Sequence, residues 1–420
     1  IPRADIPEGF ILSRQADAWI REGQVEDVAL PFMQGAMLHQ FDFSQKGWIS
    51  GTGLQARWTR IEWENKILAP QFLMGVDHMS SEIAATAKVV FRRIARNTDA
   101  RTMIASLAAR VPCGDVASVL RTREPWQPPA LAVILNSLSL DSIARLRITG
   151  THVDYHYVKE FPILSPTAFS TLRSEIPSLG LCLNGGSVCI APEWIALSQV
   201  IAMARGPHHV EGPCSWRSLW RVSDAERLRG RSCADAAIAG LAGFSVSDFV
   251  HILADCDHPL GEARGATTGF WRVDKDKDPE LRHTVLTLVA FHDLQQKIDA
   301  AGGDRDAGIE AFCNQNDGEG WMLPETLRLA DYGLGHDDRA KEYQPVAGRL
   351  GPRFFDWQFA QSPEESWREC HLHARNLLGE AGYRQLLVDL EAEKRREPVR
   401  LVAEAATEHE KPDPQGRLFE

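Results

Sequence analysis

Lys88–Ile94 reads KVVFRRI, Asn97–Ala100 reads NTDA, and Arg101–Ala109 reads RTMIASLAA. The first run is rich in β-branched and aromatic residues, the tetrad has turn chemistry, and the third run supplies a returning strand. Together they spell a β-hairpin with arginines on both arms, suited to face a groove. Immediately downstream, Pro125–Pro129 punctuates the chain. Ala130–Arg147 (ALAVILNSLSLDSIARLR) then sets Leu131, Ile134, Leu135, Leu138, Ile143 and Leu146 at helical spacing. That pattern predicts one amphipathic helix ending at Gly150. Glu160–Pro166 (EFPILSP) follows as an extended exit fixed by its prolines.

Working outward, Leu30–Phe43 alternates irregularly and is expected to enter a strand at Met37–Phe41. Gly47–Thr59 holds three glycines and reads as an exposed loop with Trp48, Arg57 and Trp58 reaching outward. Pro192–Ala204 and Ser223–Ile252 read as helical, and Ser245 and Asp248 have capping-box spacing. Thr267–Leu294 places Pro279 near the start of a further helix. The expectation is an α+β fold: a curved mixed sheet with packed helices, followed by a largely helical C-terminal region. The domain expectation is a lead-in over 1–30, a first domain over 31–175, a helical connector over 176–260 and a helical region over 261–420.

The chain has 420 residues, 44% of them hydrophobic and 25% charged, which suits a globular protein of two or three domains. No apolar run reaches the length of a membrane span. The chain begins Ile1-Pro2-Arg3 without an apolar leader, which reads as a piece cut from a longer cytoplasmic polypeptide. Its eight cysteines form no C-x-x-C pair and read as scattered reduced thiols. Net charge is −11, yet residues 84–150 carry ten Lys or Arg against four Asp or Glu, a local balance of +6. A basic front and an acidic back suit a protein that meets phosphates on one face.

Four segments, Gly35–Phe43 (GAMLHQFDF), Arg101–Ala105 (RTMIA), Leu135–Leu140 (LNSLSL) and Gly150–Pro166 (GTHVDYHYVKEFPILSP), resemble in order and spacing one group of enzymes. They are similar to the specificity region of large adenine-specific DNA methyltransferases of restriction-modification and phage-defence systems, type IIG, BREX and DISARM among them. Leu228–Leu253 is similar to a helical segment that follows the specificity region in the same enzymes, and Trp321–Leu329 and Gly351–Gln358 resemble their C-terminal tails, so the resemblance covers most of residues 31–378. It implies that 31–175 is a target-recognition domain. Such enzymes also carry a glycine-rich loop for S-adenosylmethionine and an Asn/Asp-Pro-Pro-aromatic tetrapeptide that holds the flipped adenine. No such tetrapeptide occurs here: Pro128-Pro129 lies between Gln127 and Ala130. The resemblance therefore implies the DNA-reading half without its catalytic half. No catalytic, cofactor-binding or metal-binding residue is assigned in this chain.

By that resemblance the DNA contacts fall to Arg92, Arg93, Arg96 and Arg101 on the hairpin, and to Arg145, Arg147, Thr151, His152, Tyr155 and Lys159 at the helix end and the loop beyond it. Arginine can bind phosphate or read guanine bidentately. His39-Gln40-Phe41-Asp42 matches a signature of the same enzymes and is expected either to pack the two halves together or to bring its histidine and aspartate towards the DNA backbone. Val273–Asp278 (VDKDKD) lacks the glycine and closing glutamate of a calcium loop and reads as a solvated turn. Cys370-His371-x-His373 lacks a second ligand pair and reads as a polar helix face.

The function expected is sequence-specific recognition of double-stranded DNA for an adenine methyltransferase whose catalytic domain and S-adenosylmethionine site lie in other sequence. Two alternatives stand beside it. One is a free-standing specificity subunit that assembles with separate methylase or nuclease chains. The other is a non-catalytic scaffold of a defence complex. The partners implied are duplex DNA, the upstream catalytic domain and other defence subunits, with no membrane.

Overall fold

A computed structural model describes residues 28–78, 88–184 and 224–321 with short interruptions, together with the paired strands Phe10–Leu12 and Trp19–Arg21 and a few isolated positions, most of them near residue 380. The expected helix at 192–204, the segments 322–329 and 351–358, and the Cys370–His373 cluster lie outside the described residues. The fold is α+β.

Strands β1 (Phe10–Leu12) and β2 (Trp19–Arg21) form one antiparallel pair. Strands β3 (Ala29–Phe32) and β6 (Phe72–Gly75) form a second, enclosing β4 (Lys46–Ser50) paired with β5 (Arg57–Arg60). The glycine-rich stretch 47–59 is thus a hairpin with Trp48 opposite Trp58, rather than a loop. The Trp48 indole donates to Gly51 O at 2.9 Å and ties the turn to its own arm. The main sheet has the order β8-β7-β9, made of β7 (Lys88–Arg92), β8 (Ala105–Ala108) and β9 (Ala117–Arg121). The predicted hairpin is β7 and β8, with Val89 opposite Leu107 and Phe91 opposite Ala105. Every strand pair described is antiparallel, which corrects the expected mixed sheet. The extended run Met37–Phe41 is not a strand either. A 3-10 turn at Gly35–Met37 leads into a tight turn in which His39 and Asp42 exchange backbone hydrogen bonds, with Phe41 in the left-handed region at φ 56.

The predicted helix 130–147 is two helices, α1 (Gln127–Asn136) and α2 (Leu138–Arg147), bent by 63°. Ser137 adopts an extended conformation at the break, and its hydroxyl accepts from Leu140 N as an N-cap. A short helix α3 (Tyr155–Lys159) follows, and from α4 (Glu175–Asn184) onward every described element is helical: α5 (Asp224–Ala242), α6 (Val246–Ile252), α7 (His283–Ala300) and α8 (Arg305–Asn314). Gly243 at φ 80 terminates α5, and the Ser245–Asp248 capping box opens α6. The VDKDKD stretch forms turns through Lys277, and its Asp274 carboxylate accepts from His283 N at the start of α7.

One hydrophobic cluster runs from Met33 through the sheet and helices to Trp321. α1 packs on α4, α4 on α5, and α5 on α7. The boundary expected at 175/176 falls inside α4, so residues 31–175 do not close their own core. The helices beyond complete it.

Candidate nucleic-acid interface

Strand β8 is the edge of the main sheet, and an unpaired edge inside a core would strand backbone donors and acceptors. Side chains take that place. The Asn136 side chain accepts from Ala105 N at 2.9 Å and donates to Ala105 O at 2.8 Å, as a neighbouring strand would. Asn184 Oδ1 accepts from Leu107 N at 3.0 Å, and Asp141 Oδ1 accepts from Thr102 N at 3.0 Å and from Met103 N. Phe41 N donates to Ala105 O at 2.9 Å, and Gln40 Nε2 donates to Asn136 O at 3.2 Å. On the opposite edge the Tyr155 hydroxyl stands 2.9 Å from both Val119 N and Val119 O.

Helix α5 locks onto this hub. Asp235 Oδ1 accepts from Leu138 N at 2.6 Å, where the bend between α1 and α2 frees that donor, and its other oxygen lies 2.8 Å from His283 Nε2. Arg227 donates to Leu183 O at 2.8 Å and stacks on Trp63. In the Gly35–Phe43 segment, Asp42 forms a buried ion pair with Lys66 at 2.9 Å. His39 is half-buried among Arg92, Arg231, Arg227 and Lys46. Burial first and these cations second lower its pKa to about 3.

The ten residues expected to touch DNA fall into three groups. Arg101 and Arg145 are buried. Arg145 donates to Asn97 O, Asp99 O, Ala100 O and Gly269 O, pairs with Asp141 at 3.1 Å and lies 4.4 Å from the Phe270 ring. Arg101 donates to Asn136 O and lies 3.7 Å from Asp141. These two clamp the turn between β7 and β8, which corrects their assignment to DNA: a guanidinium enclosed in the core and turned towards carbonyls and a carboxylate cannot reach a phosphate. Arg92 is half-buried and enclosed, and burial lowers its pKa. Arg93 bridges Asp154 at 2.7 Å and Asp115, joining the sheet to the loop before α3.

The second group stays on the surface along one edge. Ala95 N donates to Thr151 O, and Ile94 bridges His152, so Arg96, Thr151 and His152 are exposed side by side on a paired backbone. Asp99 accepts from Arg96 N at 2.9 Å and fixes the turn beneath. Arg147 is exposed and pairs with Glu160 at 2.8 Å.

The third group, Tyr155 and Lys159, lines a cleft of about 920 Å³. Its apolar walls come from Val119 and Leu120 of β9, Leu131 and Leu135 of α1, and Val158 and Phe161 in and after α3. Lys88, Arg121 and His78 also line it. Sequence reasoning missed the cleft because it did not mark β9 as a strand, although Ala117–Arg121 (ASVLR) has the β-branched centre of one. Among the described residues no cluster of three His, Cys, Asp or Glu could hold a metal, and no single helix is long and apolar enough to cross a membrane. Comparison of this chain with protein-family models, with curated proteins and with solved structures finds no match.

Proposed function

We propose that this chain supplies the duplex-recognition part of a site-specific adenine DNA methyltransferase, acting with a catalytic part in other sequence. One observation carries this reading. Three of the four segments whose order and spacing resemble the specificity region meet on strand β8, where Phe41 and Asn136 both bond Ala105, and the fourth joins the same sheet at its other side, through Val153 N on Arg93 O and the Tyr155 hydroxyl on Val119. Segments shared with a family for one purpose are expected to converge.

In this reading the target-recognition surface lies within residues 31–175, on a core that the helices beyond complete. Asn136, Asp141, Arg101 and Arg145 stiffen it, and Arg96, Thr151, His152 and Arg147 present donors along the exposed edge. A rigid edge of this kind can set register on phosphates and place one or two side chains at base edges. The missing half would bind S-adenosylmethionine, extrude the adenine and transfer the methyl group to its exocyclic amine. Duplex DNA and that catalytic half are the partners, in the cytoplasm.

The test is fluorescence anisotropy of the full chain on duplex DNA carrying a methylation site, measured across a salt series. Replacing Arg96 and Arg147 with alanine is expected to weaken binding and to flatten the log–log salt slope by about 0.9 for each phosphate no longer neutralised. An unchanged slope in the folded double variant would remove this edge from the interface. No salt-dependent binding by the unaltered chain would remove the reading itself.

A further inference from the structure

The cleft under α3 combines two properties that point to a ligand. Its body is apolar, formed by β9, α1 and α3, and the charged groups that line it among the described residues are cationic. Of these, Lys159 and Arg121 are exposed, while Lys88 is buried. No aspartate or glutamate among the described residues lines it. A volume of about 920 Å³ lies in the range of small-molecule sites.

In the wall, three polar side chains bond to backbone. Lys88 Nζ and Cys113 Sγ both donate to Val111 O, and the Tyr155 hydroxyl is held between Val119 N and Val119 O. Burial pushes the Cys113 thiol up, so that stretch of wall carries no negative charge. A nucleobase seated against the apolar body, away from His78, Arg121 and Lys159, would leave ring nitrogens and exocyclic groups without partners, at a cost on the order of 1–3 kcal/mol for each. An aliphatic chain has no such groups, and it would gain from every apolar surface it covers.

We propose that this cleft binds an amphiphilic anion, a medium-chain aliphatic carboxylate, with the chain between β9 and α1 and the carboxylate at Lys159 and Arg121. The site is separate from the Arg96–His152 edge and does not depend on the DNA reading.

Isothermal titration of the full chain with decanoate, decanol, decyltrimethylammonium and deoxyadenosine monophosphate tests it. Decanoate is expected to bind saturably with one site, and decanol about tenfold more weakly. The cation and the nucleotide are expected not to compete. Lys159→Glu with Arg121→Glu should weaken decanoate about tenfold or more and leave decanol unchanged. Leu131→Trp should abolish both by filling the cleft, with circular dichroism reporting the fold. Equal affinity for decanoate and decanol, tighter binding of the nucleotide, or charge reversal without effect would each overturn the proposal. The ligand series on the unaltered chain decides the matter even if a variant fails to fold.

Discussion

Arginine illustrates why residue type alone does not define a binding surface. Arg96 and Arg145 are both arginines of one basic segment, yet one is exposed and the other is closed over by backbone and carboxylate acceptors, five of them among the described residues. Arg145→Ala is expected to lower stability by about 3–5 kcal/mol in urea unfolding, because it leaves Asp141 buried without its closest cation. Arg96→Ala is expected to change stability by no more than about 0.5 kcal/mol. A reversed order would mean that the clamp is dispensable. His39 provides a second test. Its pKa is about 3 in the fold and near 6.5 in the unfolded chain. Below about pH 6.5 the unfolded state therefore takes up a proton that the folded state refuses. Stability contributed by neutral His39 is present above that pH and is lost progressively as pH falls towards 3. Because His39 keeps some exposure to water, the loss is expected to be on the order of 2 kcal/mol. Urea midpoints measured from pH 7 to pH 4 should show it, and His39→Gln should flatten that part of the profile. A profile unchanged by the substitution would show that other groups govern the acid limb.

At the level of elements, hydrophobic period and turn chemistry were legible and breaks were not. KVVFRRI and RTMIASLAA give the antiparallel pair at β7 and β8, as their β-branched content and the intervening NTDA tetrad imply. Residues 130–147 keep a helical period throughout, but the helix bends at Ser137 because Asn136 is drawn to the β8 backbone and Asp235 takes up the freed Leu138 N. Both partners lie far away in sequence, so no local pattern signals the bend. The exposed edge was partly legible: Arg96, Thr151 and His152 belong to the expected set and are exposed together, whereas Arg101 and Arg145 are buried. Helix packing also depends on a position that looks ordinary in sequence. A Cβ on Gly180 would lie 2.2 Å from Pro129 O, where α4 crosses the first turn of α1. Gly180→Ala is expected to cost on the order of 3 kcal/mol or more, since backbone must move to admit it. Gly240→Ala meets only the end of the Leu294 side chain, so its cost should be about 1 kcal/mol or less once the gain in helix propensity is counted. Equal urea midpoints for the two variants would show that the α1–α4 crossing is looser than its geometry indicates.

For the whole molecule, sequence divided the chain near residue 175 and the packing does not. Asn184 completes the β8 edge at Leu107, Asp235 holds the bend at Leu138, and the hydrophobic cluster continues into α7 and α8. A chain ending at residue 175 is expected to lose its near-ultraviolet circular dichroism and its cooperative urea transition, and one ending at residue 321 to keep both. A cooperative transition for the shorter chain at the midpoint of the longer would restore the two-domain division. Sequence by itself determined the class of fold, the hairpin, the helical character of the elements described between residues 224 and 314, the capping box at Ser245 and the concentration of positive charge in residues 84–150. Those properties are set by period, propensity and composition within a few residues of chain. Tertiary structure alone decided which arginines remain on the surface, where the long helix breaks, which amides close the sheet edges, and that β9, α1 and α3 enclose a cationic cleft. Each of those depends on a hydrogen-bond or packing partner tens to more than a hundred residues away, and local pattern carries no record of which distant group will arrive to satisfy a buried donor.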